Sequence, residues 1–218
     1  MTRTGKLYDN VMAKLEFEPG LDAYNITIAV KDSGIVVLGG EVASYSEKRI
    51  AEKAVQKIHG VNAVADELKV NLAVPYIRSD IDIAKIALNA LKWNFFVPAK
   101  RVKIIVTNGY LTLVGEVDEY YQKKHAQKAV QDLVGIVGIS NNIVIKPEVQ
   151  GLDVKNKIIQ EFERNAQIDA NNIRVEVEDG KVTLKGTVKN FDEDKEARMA
   201  AWSVPGVSNV IDQLTISY

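Results

Sequence analysis

Three times along the chain, apolar residues recur at four-residue steps: Leu7, Val11 and Leu15; Ile83, Ala87 and Leu91; Val154, Ile158 and Phe162. Steps of four hold side chains on one face of a helix, so each triplet predicts an amphipathic helix. The period then drops to two at Ile26, Ile28 and Val30, at Val102, Ile104 and Val106, and at Ile173, Val175 and Val177. Each of these predicted strands runs into a glycine-containing turn ("KDSG", "TNG", "EDG") and a second alternating strand, whose inward set in the first case is Val36, Leu38, Gly40 and Val42. That is a hairpin. Next, Ala51, Ala54, Val55 and Ile58 fall at i, i+3, i+4 and i+7, and Ser44 with Glu47 forms a capping box ahead of them. A second helix follows, closed by Gly60 at a position where positive φ is usual, and Val61 to Val70 supplies a third strand.

The same phrase is written three times. "GGEVASYSEKRIAEKAVQKIHGV" at 39–61 returns as "VGEVDEYYQKKHAQKAVQDLVGI" at 114–136 and "KGTVKNFDEDKEARMAAWSVPGV" at 185–207. Gly40, Gly115 and Gly186 are spaced by 75 and 71 residues, as are Gly60, Gly135 and Gly206, so everything between them aligns without a gap. The expected fold is therefore α+β: three tandem αββαβ units, each with two helices on one face of a three-stranded mixed sheet. The domains are expected at residues 3–72, 78–146 and 150–218. The short proline-containing linkers at 72–80 and 146–152 restrict motion without fixing an orientation. The glycines at 40, 115 and 186 lie inside a strand on its inner face, and the absent side chain is read as room for a helix backbone to approach. No GxGxxG or Walker pattern surrounds them, so a phosphate cradle is not indicated.

Charge and composition narrow the function. Twenty-eight basic and twenty-nine acidic residues leave a net charge of −1, so there is no global footprint for nucleic acid. With no cysteine there is no disulfide, thiol nucleophile or thiolate metal site. The start "MTRTGKLYDN" lacks a secretory signal and no apolar run is long enough to span a membrane, which leads to the expectation of a soluble, cytoplasmic protein, or a periplasmic one if an export signal has been removed. His59 and His125 occupy non-equivalent positions and build no metal or triad site. The acidic run 191–196 lacks the ligand spacing of a calcium loop and suits a helix start. "GIVG" at 135–138 meets the bare GXXG of nucleic-acid clamps but falls in a helix-to-strand turn of a different fold. No catalytic residue, cofactor or metal is expected, and the chain is not read as an enzyme.

The αββαβ order, the "GxVxLxGxV" pattern between strand and helix, and the "GV…V…L" ending resemble the BON domain family (bacterial OsmY and nodulation), here three times over nearly the whole chain. With "ALKWN" in the middle unit and "AAWSVPGV" in the last, the pattern is similar to the three-BON, OsmY-like proteins of bacteria. The resemblance implies stress- or envelope-associated binding modules with proposed attachment to phospholipid and chaperone-like roles, and it implies no catalytic residues.

What distinguishes the repeats then carries the functional information. Residues 1–74, 75–149 and 150–218 have net charges of −1, +3 and −3. The basic middle unit also holds "LKWNFFVPAKRVKI" at 91–104. Trp93 stands where the other repeats have Phe17 and Arg164; Phe95 and Phe96 replace Pro19 and Gly20, then Ala166 and Gln167. Lys92, Lys100, Arg101 and Lys103 surround these rings, the composition of an interfacial membrane contact or an anionic partner site. The competing reading packs the rings against an adjoining unit, since a unit of this size gains from covering its neighbour. Trp202 replaces Gln56 and Gln131 on the second helix and is read as inter-domain packing. Two binding roles follow: contact with an anionic phospholipid surface or amphipathic ligand through the middle unit, or a scaffold associating with protein partners or with itself.

Overall fold

The computed structural model describes residues 3–147 and 153–217. The third domain's expected bounds at 150 and 218, and most of the second linker, lie outside the described residues. Among those described there are six helices: α1 Arg3–Glu16, α2 Tyr45–Gln56, α3 Asp80–Trp93, α4 Tyr120–Val130, α5 Val154–Arg164 and α6 Phe191–Ser203. Ten strands accompany them: β1 Ile26–Lys31, β2 Ile35–Val42, β3 Ala63–Asp66, β4 Lys69–Val70, β5 Val102–Thr107, β6 Tyr110–Val117, β7 Gly138–Ile145, β8 Ile173–Glu178, β9 Lys181–Val188 and β10 Asn209–Ile216. The fold is α+β with three sheets, ordered β1-β2-β3, β5-β6-β7 and β8-β9-β10.

Pairing in the outer repeats is mixed. β1 runs antiparallel to β2 and β8 to β9, while β3 lies parallel to β2 and β10 to β9. The helix between the second and third strands is the crossover that parallel pairing requires. In the first repeat the third strand is broken: β3 ends at Asp66, and β4 resumes against Glu41 and Val42. The continuous strand expected over Val61 to Val70 is thus interrupted by Glu67 and Leu68, and Leu68 turns into the core.

All nine helix positions picked out by the four-residue step are buried. So are Val36, Leu38 and Val42 on β2, and Ala51, Ala54 and Val55 on α2. In the third repeat Val154, Ile158 and Phe162 join Val175, Val182, Leu184, Val188, Ala197 and Ala201 in one core. Each fully buried Val, Leu, Ile or Phe side chain of this core contributes about 1.5–3 kcal/mol. The second helices start alike. Ser44 accepts from the Glu47 amide (3.1 Å) and Asn190 from the Glu193 amide (2.8 Å), while Glu47, Gln122 and Glu193 reach back to the amides of Ala43, Asp118 and Lys189. Gly60, Gly135 and Gly206 follow these helices with φ of 94°, 98° and 96°.

The role read for the strand glycines requires correction. Gly40, Gly115 and Gly186 have φ of 94°, 144° and 129°, and a Cβ would fall 2.0–2.1 Å from the carbonyl oxygens of Asn25, Arg101 and Asn172. The space is taken by the backbone entering the neighbouring strand, not by a helix. In the first repeat that carbonyl accepts the amide of Glu41 (3.1 Å). The alternation of the strand places these glycines on the inner face but does not show their positive φ or how closely the neighbouring backbone approaches them.

Among the described residues, two compact units emerge. One runs to Leu88 and includes Ile105–Thr112 and Val130–Ser140; the other takes Asn89–Ile104, Leu113–Ala129 and the chain from Asn141 on. The division passes through the middle repeat, and the aromatic and basic segment at 92–103 lies wholly in the second unit.

Candidate functional site

Two buried residues fix the elbow between α3 and β5: Leu91 in the last turn of the helix and Val97 beyond it. Between them the backbone turns around Asn94. Its amide bonds to the Leu91 carbonyl (3.3 Å), its carbonyl accepts from Val97 (3.1 Å), and its side-chain oxygen accepts from the Phe96 amide (3.1 Å). This is the local turn chemistry that Asn favours. With the ends anchored inward, the residues between them face out: Trp93 is 88% exposed, Phe95 94% and Phe96 50%.

Only Phe96 is held from the side. Its ring lies 4.5 Å from that of His125 and 6.3 Å from Tyr121, edge-on to the latter, and Phe95 meets it edge-on at 5.6 Å. Tyr121 and His125 sit at i and i+4 on α4, so one helix face presents both to Phe96. Sequence reasoning missed this pair, although the signal was present: the other repeats have Ser46 and Ile50, then Asp192 and Glu196, at these positions. The result is a small aromatic cluster that the exposed Phe95 joins edge-on, with Trp93 exposed two residues earlier.

The surrounding cations do not form one patch. Lys92 and Lys100 are exposed and have no ion-pair partner among the described residues. Arg101 grips Asp118 through two bonds of 2.6 and 2.9 Å, and this pairing holds the Asp118 carboxyl below the usual carboxylate range. Lys103 alternates with the buried Val102 along β5 and so points to the opposite face of the sheet. Of the four basic residues close to the rings in sequence, two are exposed without an ion-pair partner among the described residues. Trp202 lies elsewhere, on α6, stacked on Tyr120 of the middle repeat with ring centroids 4.8 Å apart and planes 12° from parallel.

No helix among the described residues is long and apolar enough to cross a membrane, and no group of three or more His, Asp or Glu side chains is placed to hold a metal ion.

Comparison with known proteins fits this geometry to a family. The BON domain model matches residues 4–71, 79–147 and 152–218. Osmotically-inducible protein Y of Escherichia coli (strain K12) is 28% identical over 156 residues, which are 67% of this chain and 77% of that protein. Two solved structures of CdsD, a structural protein of the type III secretion system of Chlamydia trachomatis, match at 14% and 13% identity. They cover 97% and 100% of this chain and 92% and 100% of theirs, with TM-scores of 0.26 and 0.27, too low for the shapes to be called alike.

Proposed function

The chain belongs to the BON domain family, and from that premise we propose that it is a non-enzymatic, osmotic-stress-related binding protein that contacts an anionic phospholipid surface through the middle repeat. The stress role is supported by the similarity to a protein named for osmotic induction. The observation that carries the lipid contact is the exposure of Trp93 and Phe95 beside Lys92 and Lys100. The fold does not require two such rings side by side in water, whereas a bilayer interface accepts aromatic rings and its anionic headgroups attract lysines close to them. Each basic group near such a surface is worth about 1 kcal/mol, an attraction that salt weakens.

Flotation of the purified chain with anionic and with zwitterionic vesicles, at low and high salt, tests this. The expected result is anionic-selective, salt-sensitive flotation that a Trp93→Ala/Phe95→Ala variant loses while remaining folded. Equal behaviour of the two proteins would remove the elbow from the reading.

A second reading, a scaffold for protein partners or for copies of itself, has its own supporting feature. Val74, Tyr76, Ile77 and Ile81 stand exposed where the first linker enters α3, an apolar concentration unusual for a linker. Concentration-dependent association without lipid, together with absence of flotation, would transfer the conclusion to it.

A further inference from the structure

The gap-free register between repeats puts three polar positions in correspondence: Lys48, Glu52 and Asp66 in the first, Lys123, Gln127 and Asn141 in the middle, Asp194, Arg198 and Asp212 in the third. The first two of each set are four apart on the second helix and share a face; the third lies on or at the end of a third-strand segment. In the outer repeats the charges are answered internally. Lys48 donates to the Leu68 carbonyl (2.6 Å) and lies 3.4 Å from the Asp66 carboxylate. Arg198 reaches Asp194 at 2.6 Å and Asp212 at 3.4 Å.

The middle set is different. Asn141 donates its amide to the Lys123 carbonyl (3.1 Å) and to Gln127 Oε1 (3.2 Å), and its own oxygen accepts from the Ile143 amide (3.3 Å). The side-chain acceptors of the set are thereby engaged. Lys123 Nζ and Gln127 Nε2 are left as donors with no acceptor among the described residues. Lys123 is half-buried, and burial holds its ammonium below the usual lysine range. A partly desolvated cation with no counter-charge beside a primary amide with free N–H groups is an arrangement that a negatively charged oxygen would complete.

We propose that Lys123 Nζ and Gln127 Nε2 form a binding site for an oxyanion, a carboxylate or phosphate group, which supplies to the middle repeat the negative charge that the Asp66 carboxylate supplies to the first. The site is separate from the Trp93 elbow and does not depend on lipid binding. Asn141 is what leaves the seat open, since the equivalent residue in both outer repeats is an aspartate.

The test is NMR of the full chain, following the Gln127 side-chain amide and the Lys123 ammonium during titration with sodium acetate or sodium phosphate, against sodium chloride at matched ionic strength. A saturable shift of the Gln127 amide with a rise in the Lys123 pKa is expected for at least one of the two oxyanions. Response to acetate alone marks a carboxylate ligand; response to phosphate as well marks a general oxyanion seat. Lys123→Gln should weaken the response about tenfold or more, the loss of one charge-assisted contact. Asn141→Asp installs the acceptor of the outer repeats, so it should raise the Lys123 pKa without added anion and abolish the titration. It changes the position toward the residue both outer repeats already fold with, and keeps the test decisive should Lys123→Gln fold poorly. A chloride response as large as the oxyanion response, no saturable shift with either anion, or a shift that persists in Asn141→Asp would overturn the proposal.

Discussion

The strand glycine and the elbow after the first helix occupy equally fixed places in each repeat, yet they behave in opposite ways. At 40, 115 and 186 the residue is always glycine. At the elbow the chain writes Phe17, Pro19 and Gly20, then Trp93, Phe95 and Phe96, then Arg164, Ala166 and Gln167. The glycine has a carbonyl oxygen where its Cβ would be; the elbow has solvent. Identity among the repeats therefore follows the space that the backbone leaves, and divergence follows exposure. Differences on exposed ground are not forced by the fold, which is why the elbow is the better place to look for function.

The strongest way to break this comparison is Gly186→Ala. At φ of 129°, with Asn172 O 2.0 Å from the ideal Cβ, one methyl group requires the backbone to move. Positive-φ strain and overpacking together are expected to cost about 3 kcal/mol or more, measured as a loss of urea stability for the third repeat's transition. A loss below about 1 kcal/mol would mean that the backbone relaxes freely at this position and that the glycine has some other cause.

Much of this architecture is legible in the sequence, because periodicity reports burial directly. Leu7, Val11, Leu15 and their counterparts gave the helices, and the aligned glycines gave the repeat. What was not legible depends on pairs of atoms distant in sequence. The collision at the strand glycine involves the carbonyl of the residue just before the preceding strand, and Arg101, one of the four basic residues close to the rings in sequence, is paired with Asp118 seventeen positions away. The elbow's composition was visible, but its exposure was not: whether Trp93 packs or protrudes depends on how Leu91 and Val97 anchor the turn.

A smaller effect sits between the two extremes, at a position that is buried in the third repeat yet chemically variable. Positions 48, 123 and 194 hold Lys, Lys and Asp. Burial raises the Asp194 carboxyl to about 6, with Arg198 countering and Asp212 adding to the shift. Because the folded value lies above the unfolded one, near 3.9, the folded state holds the proton more tightly. The stabilisation this group contributes is full below about pH 4 and is lost as pH rises through about 6. Between pH 4 and 7 the chain should lose on the order of 1–2 kcal/mol relative to an Asp194→Asn variant, measured by urea denaturation across that range. Parallel stability profiles for the two proteins would show that Arg198 compensates the carboxylate fully.

The smallest expected effect on stability is the most informative about function. Trp93→Ser and Phe95→Ser remove large rings that are almost fully exposed, so each should change folding free energy by less than about 0.5 kcal/mol. Phe96→Ser supplies the internal contrast, because its ring is half-buried against His125 and Tyr121 and should cost about 1 kcal/mol more than its neighbours. If the three substitutions order this way in denaturation and all three weaken vesicle flotation, binding and stability separate along a single turn of chain. Equal destabilisation by all three would instead place Trp93 and Phe95 in packing contacts in solution, and the elbow would join the strand glycine as a feature that the fold itself requires.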